Sequence, residues 1–137
     1  MQFLKGSFRT AKAMVTMMHT MTLNGTWTLR GKPQGRDAGP ITLPAAVPGE
    51  AALALSEAGY LPRDLFMGMN ILETGQYEDW EWWYETTFSV PTPENNTWLI
   101  FRGVDCEAEY FLNGQKLGES RNAFTAHEFR IDGILRA

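Results

Sequence analysis

Apolar and polar residues alternate in several short segments of the chain, which is the pattern of strands with one buried face. In residues 22–30, Leu23, Gly25, Trp27 and Leu29 occupy every second position. Because successive side chains of a strand point to opposite faces, this spacing predicts a half-buried strand. Further strands are predicted at Ile41–Leu43, Trp82–Val90, Thr97–Phe101, Glu107–Leu112, Gln115–Gly118 and His127–Ile131.

Turn signals and a single helix separate these strands. Asn113 and Gly114 form an Asn-Gly pair between two strand patterns, the strongest short-range signal for a β-hairpin. The Ala-rich residues 50–58 predict a short helix that ends before Gly59. Residues 60–79 are predicted to be irregular. Many short strands with frequent turns favour an all-β sandwich.

The first 20 residues lack a clear period, and they are predicted to form a disordered leader or to lie upstream of the true translation start. Several methionines nearby are alternative starts: Met14, Met17, Met18 and Met21. Residues 21–137 are predicted to form one β-sandwich domain, since this length is ordinary for a single domain.

Charge and composition exclude several classes of function. The chain has 12 basic and 16 acidic residues, and its net charge is −4. Residues 1–36 hold six of the basic residues and no acidic one, so the remainder carries −10 (six positive, 16 negative). An acidic body argues against a nucleic-acid partner, which needs a basic face. No apolar run approaches the ~20 residues of a membrane helix, so no membrane partner and a cytoplasmic location are predicted.

The cysteine and histidines point to no metal or cofactor. Cys106 is the only cysteine, so no disulfide can form within the chain, and a lone cysteine is expected to be a small buried residue. His19 and His127 lie far apart in sequence. Because a metal site needs grouped ligands, no metal and no cofactor are predicted.

Seven segments occur in the order in which they appear in one enzyme family. They are Leu23–Trp27, Val47–Gly49, Phe66–Asn70, the aromatic strand with Trp82, Tyr84 and Phe88, Phe101–Asp105, Leu112–Gly114, and Asn122–Phe124 with Phe129–Ile131. Over about residues 22–137 the chain resembles the N-terminal domain of glycoside hydrolase family 2, most closely its β-mannosidase branch. The resemblance implies a jelly-roll β-sandwich of the galactose-binding-like class with one short helix. Family domains continue beyond the Ile131 region, so it also implies truncation at the C-terminus.

The resemblance implies that the catalytic residues lie in a different domain. Family members hydrolyse terminal β-glycosides with two carboxylates about 5–5.5 Å apart. Both belong to a later barrel domain, so no catalytic residue is expected in this chain. Glu107 and Glu109 would share a strand face, but they are interpreted as surface carboxylates. The implied function is a non-catalytic module that packs on the catalytic barrel of the same longer chain and shapes its pocket for terminal β-mannosides.

Four residues are candidates for contact with a carbohydrate: Asn70, Trp80, Trp82 and Trp83. Aromatic faces stack on pyranose rings, and an amide forms hydrogen bonds with hydroxyls. The resemblance adds weight to Asn70, because this stretch lies near the mouth of the catalytic pocket in the family. For the tryptophans, a role in the core or at the barrel interface is favoured over contact with a sugar. A free-standing carbohydrate-binding module and a non-functional gene fragment remain alternatives.

Overall fold

The computed structural model describes residues 5–10, 17–35, 38–90 and 96–136. Within these ranges the backbone forms nine strands, one α-helix and one 3-10 helix. The strands are β1 (Lys5–Thr10), β2 (Met17–Thr22), β3 (Gly25–Pro33), β4 (Ile41–Val47), β5 (Trp80–Glu85), β6 (Thr97–Phe101), β7 (Ala108–Leu112), β8 (Gln115–Ser120) and β9 (His127–Arg130). Helix α1 spans Ala51–Glu57 and the 3-10 helix spans Asn70–Tyr77. No helix among the described residues is long and apolar enough to cross a membrane.

Residues 25–86 form one compact unit around a three-stranded antiparallel sheet. The strand order is β4-β3-β5, and Leu29 of β3 lies opposite both Leu43 of β4 and Tyr84 of β5. All three of these side chains are buried. Every second residue of β3 and β4 is buried along most of each strand, because alternate side chains point to the same face. This buried face is the core of the unit.

Helix α1 follows β4 and is held to the chain that leaves it. Leu55 is almost fully buried, and its carbonyl accepts hydrogen bonds from the backbone N–H groups of Tyr60 and Leu61. The hydroxyl of the buried Ser56 donates to the carbonyl of Pro62 at 2.6 Å. These bonds satisfy polar groups at the end of the helix and turn the chain back sharply after Gly59. The helix lies inside the predicted residues 50–58.

The remaining described residues form a second compact unit, from residues up to Asn24 and from Thr87 onward. It contains a four-stranded sheet of order β2-β1-β6-β9 and a two-stranded sheet of β7 and β8. Its core is aromatic: the rings of Phe101 and Tyr110 are both fully buried, with centroids 4.2 Å apart. Phe129 packs against both rings and over Gly118, where a Cβ atom would lie 2.6 Å from the Phe129 ring.

The predicted hairpin is confirmed, while several strand boundaries differ. Asn113 and Gly114 have φ angles of 51° and 81°, the conformation that joins β7 to β8. The aromatic strand was expected at Trp82–Val90 and is observed at Trp80–Glu85, because its partner β3 pairs with these residues only. Cys106 is exposed rather than buried, because β7 begins two residues later and leaves it in a loop.

Residues 60–79 are not wholly irregular, since they contain the 3-10 helix Asn70–Tyr77. Strand β1 and most of β2 lie within the first 20 residues, and the rest of that segment is outside the described part of the chain. The assignment of residues 1–20 as a leader, and of residues 21–137 as one domain, stays a prediction.

Candidate functional site

Strand β5 carries three of the four candidate residues, and its alternation divides them between two faces of the sheet. Trp80, Trp82 and Tyr84 point to the face that also holds the buried residues of β3 and β4. Trp83 points to the opposite face. Because successive side chains of a strand point to opposite faces, Trp82 and Trp83 cannot contact a ligand on the same face of the sheet.

Trp80 and Trp82 form a stacked pair on the core side of the sheet. Their ring centroids are 5.5 Å apart with an angle of 18° between the planes. Tyr77, from the end of the 3-10 helix, contacts Trp80 edge-on at 5.2 Å. Trp82 lies directly over Gly31 of β3, where a Cβ atom would be 2.2 Å from the ring. This arrangement covers the end of the sheet, and both tryptophans remain half-buried.

Trp83 is the most exposed of the five tryptophans, with 38% of its surface accessible. Its Nε1–H donates to Oε1 of Glu81, which lies two residues earlier on the same face. The other oxygen of Glu81 accepts a hydrogen bond of 3.4 Å from the side-chain amide of Gln34. On the same face, Arg30 and Glu85 form an ion pair at 3.1 Å.

Asn70 opens the 3-10 helix and has a structural contact. Its Nδ2 donates to the carbonyl oxygen of Asp64 at 2.8 Å, and the side chain is half-buried. The carboxylate of Asp64 accepts a hydrogen bond of 3.0 Å from the backbone N–H of Phe66. Asp64 and Asn70 therefore hold the two ends of the segment between them.

That segment presents apolar side chains to solvent. We define the apolar segment as Phe66, Met67, Met69, Ile71 and Leu72, whose accessible fractions run from 45% at Ile71 to 90% at Phe66. Backbone hydrogen bonds from Met67 to Asp64 and from Leu72 to Met69 give it regular turns. Exposed apolar side chains grouped in this way are uncommon on a monomer surface and mark interaction sites.

The structure thus separates the four candidates into three environments. Trp80 and Trp82 lie together, Trp83 lies on the other face of the sheet, and Asn70 anchors the apolar segment. Their contact with a carbohydrate stays a prediction. Sequence reasoning missed Tyr77 as a partner of Trp80 and Gln34 as a partner of Glu81. Alternation along β5 was the available signal for the separation of the tryptophans, whereas no local pattern indicates Gln34.

The carboxylates predicted to lie on the surface are exposed and engaged with cations. Lys116 contacts Glu109 at 2.6 Å and Glu119 at 3.1 Å, and Arg121 lies 3.8 Å from Glu107. Hydrogen bonding to Lys116 lowers the pKa of Glu119, and the two carboxylates raise the pKa of Lys116. A cation beside a carboxylate favours its ionised form, which is opposite to the need of a general acid. The described part of the chain holds no group of three or more metal-ligating side chains.

In the part of the chain that the structure describes, nine strands and one short α-helix define an all-β architecture. A family model described as "Glycosyl hydrolase 2 galactose-binding domain-like" matches residues 27–137. The chain belongs to this family, and the predicted all-β, galactose-binding-like fold class is confirmed.

Several relatives of this chain are β-mannosidases. Beta-mannosidase from Mus musculus is 30% identical over 118 residues, which cover 84% of this chain. The Rattus norvegicus enzyme is 32% identical over 100 residues, or 70% of this chain. A crystal structure of β-D-mannosidase from Dictyoglomus thermophilum matches with a TM-score of 0.70 and 35% sequence identity over 83% of this chain.

The chain spans only a small share of these relatives. It covers 13% of the mouse protein, 11% of the rat protein and 14% of the Dictyoglomus thermophilum chain. It therefore corresponds to the galactose-binding-like domain of β-mannosidase-like proteins of glycoside hydrolase family 2, and most of each relative lies outside the match.

Proposed function

We propose that this chain is a non-catalytic N-terminal sandwich module of a β-mannosidase-like glycoside hydrolase. The module packs on the catalytic barrel of a longer chain and shapes one wall of the pocket that receives terminal β-mannosides. The observation that carries the proposal is the match of most of this chain to about one seventh of a β-mannosidase at a TM-score of 0.70.

The surface chemistry supports a role without catalysis. A retaining glycosidase needs one carboxyl group that is protonated and a second that is ionised, about 5–5.5 Å apart. Glu107 and Glu109, which are two residues apart in the chain, are both exposed and lie beside cations. Neither carboxylate lies in the buried, apolar surroundings that would set one apart as an acid and the other as a nucleophile.

The apolar segment supports packing on a further domain. Phe66, Met67 and Met69 are accessible over 90%, 66% and 72% of their surfaces, and they stand on a hydrogen-bonded scaffold. Aromatic residues and Met are enriched at protein interfaces, and a preformed surface loses little conformational entropy on docking. We place the contact with the barrel at this segment.

Within this proposal Asn70 is at the edge of the pocket. Its Nδ2 is used to hold the carbonyl of Asp64, so the group that it would offer to a sugar hydroxyl is its carbonyl oxygen. Trp80 and Trp82, which are stacked and half-buried, would brace the wall and present aromatic edges to it.

A chimera tests the proposal. This chain would replace the matching segment of the Dictyoglomus thermophilum β-mannosidase, and hydrolysis of an aryl β-mannoside would be measured. We expect an active chimera, and we expect the double substitution Phe66→Ser with Met69→Ser to lower both its kcat/KM and its melting temperature.

The matched control is Phe124→Ser, which removes an apolar side chain that is 97% exposed in the other compact unit. Equal activity and equal melting temperature for the double variant and the parent chimera would contradict docking through the apolar segment. An inactive chimera whose inserted module is folded would contradict the proposed function itself.

A further inference from the structure

The chain contains the tripeptide Leu-Asn-Gly twice, at residues 23–25 and at residues 112–114. An asparagine that precedes glycine is prone to deamidation, because glycine has no side chain to keep its backbone nitrogen away from the asparagine side chain. Since the two tripeptides are identical, a difference in their reactivity has to come from the folded structure.

The structure gives the two tripeptides different backbones. Gly25 is the first residue of β3 and lies opposite Val47 of β4. Gly114 lies between β7 and β8, in the turn where Asn113 and Gly114 have φ angles of 51° and 81°. Deamidation requires rotation about the bonds of the Asn-Gly linkage. At Gly25 this rotation opens the first pair of the core sheet, whereas at Gly114 it takes place outside the strands. The structure therefore favours the reaction at Asn113.

The side chain of Asn113 holds another segment of the same compact unit. Its Nδ2 donates a hydrogen bond of 2.8 Å to the carbonyl oxygen of Ile134. Residues 131–134 form a turn, in which the N–H of Ile134 donates to the carbonyl of Ile131 at 3.1 Å. The N–H of Ile131 donates to the carbonyl of Thr97 at 3.0 Å and fixes the start of the turn. Asn113 fixes the end of the turn to the tip of the β7–β8 hairpin.

We propose that Asn113 is a deamidation site, and that its conversion to aspartate releases residues 131–136 from the hairpin. The backbone nitrogen of Gly114 attacks Cγ of Asn113, so that a new N–Cγ bond forms and the Cγ–Nδ2 bond breaks. Nδ2 leaves as ammonia, which takes up the proton of the Gly114 N–H. Water then opens the cyclic imide to the carboxylate of aspartate or isoaspartate, and a proton is released. The reaction needs no co-reactant except water.

The conversion replaces a hydrogen-bond donor by an acceptor. A carboxylate oxygen in the place of Nδ2 faces the carbonyl oxygen of Ile134, and neither atom carries a proton to share. Repulsion between the two oxygens is then added to the loss of the hydrogen bond. Isoaspartate also lengthens the backbone of the loop between Leu112 and Gln115, which are paired across the hairpin. Both products therefore loosen the turn that follows the buried side chain of Ile131.

Peptide mapping by mass spectrometry tests the site of reaction, after the 137-residue chain is incubated at mildly alkaline pH. We expect Asn113 to deamidate at least about threefold faster than Asn24 in the folded chain. We expect the two rates to become equal in urea, where both tripeptides are unfolded. A cooperative urea transition identifies the folded chain, and the chimera described above takes its place if the transition is absent. A folded module in which Asn24 reacts as fast as Asn113 would overturn the assignment.

Hydrogen exchange tests the consequence of the reaction. Asn113→Asp introduces the product directly, and aspartate tolerates the positive φ of this position. We expect faster exchange of the backbone N–H groups of Ile131 and Ile134, and a melting temperature lower by about 2–8 °C. The matched control is Asn24→Asp, the same change in the other tripeptide, which should leave exchange in residues 131–136 unchanged.

Exchange in Asn113→Asp that equals exchange in the parent would overturn the release of residues 131–136. Neither the mapping nor the exchange experiment depends on glycosidase activity. Their outcome is therefore independent of the proposed function, which the activity of the chimera tests.

Discussion

At the scale of single residues, Asp132 joins two neighbouring strand ends in the four-stranded sheet. Its Oδ1 accepts a hydrogen bond of 2.7 Å from the backbone N–H of Thr97, where β6 begins, and its Oδ2 contacts Arg130 at the end of β9. The bond from the Thr97 N–H and then the bond from Arg130 lower the pKa of the Asp132 carboxyl. These contacts require the ionised form of the side chain.

The ionisation of Asp132 makes the stability of the fold depend on pH in the acid range. Because the folded pKa of Asp132 lies below its unfolded value, its contribution is present above about pH 4 and is lost as the pH falls through the folded pKa. We expect Asp132→Asn to melt below the parent at neutral pH, with the difference shrinking toward pH 2. Glu128→Gln, an exposed change on β9, is the control. A gap in melting temperature that does not vary with pH would contradict this assignment.

Tyr84 makes the stability of the fold depend on pH in the alkaline range, where stability is lost as the pH rises. Burial, with a smaller contribution from the charge of Glu50, raises the pKa of Tyr84 to about 12. The unfolded side chain ionises near pH 10, so the unfolded state releases a proton first and stability falls between about pH 10 and 12. The loss reaches about 2–3 kcal/mol. We expect the free energy of unfolding in urea to decrease less for Tyr84→Phe than for the parent between pH 9 and 11.5. Tyr60→Phe, at a half-exposed site, should behave as the parent does.

At the scale of secondary-structure elements, the pairing of β3 with β5 depends on a glycine beneath an indole. Gly31 lies opposite Trp82 in the register, and the ring occupies the space where a Cβ atom of residue 31 would be. The absence of a side chain at this position allows Trp82 to lie flat and to stack on Trp80. A methyl group there would displace the indole and break the stack.

We therefore expect Gly31→Ala to lower the free energy of unfolding by about 1–3 kcal/mol through overpacking. The exciton signal of the Trp80–Trp82 stack in far-ultraviolet circular dichroism should decrease together with it. Gly39→Ala is the matched control, since a Cβ atom at Gly39 meets nothing within 4 Å and should change stability by less than about 0.5 kcal/mol. Equal stability of the two variants would show that Trp82 moves aside without cost.

At the scale of the whole molecule, the proposed function assigns this chain a surface for packing and no part in the chemical step. We expect the 137-residue chain alone to release no aryl alcohol from an aryl β-mannoside under conditions in which the Dictyoglomus thermophilum enzyme does. The physical reason is that Glu107 and Glu109 are exposed to solvent beside cations, so neither lies in the apolar surroundings that a general acid needs. Turnover by the purified chain that disappears in Glu109→Gln would contradict a non-catalytic role.

Much of the fold is encoded in short-range pattern. Alternation at Trp27 and Leu29 predicts the buried face of β3, and the Asn113-Gly114 pair predicts the β7–β8 hairpin, because side-chain direction and turn conformation are local properties. The residues at which strands end are not predicted by local pattern. Strand β5 ends at Glu85 because β3 pairs with residues 80–85 only, and that limit belongs to the partner strand.

The candidate site shows the same division. The sequence by itself determined the family, since seven segments keep their order along the chain, whereas contact of its four candidate residues with a sugar stays a prediction. Tertiary structure alone decided that Trp82 covers Gly31, that Asn70 holds Asp64, and that Gln34 and Glu81 orient Trp83. Gln34 and Glu81 are 47 residues apart in the chain. Contacts at that separation arise from strand pairing, which local periodicity does not specify.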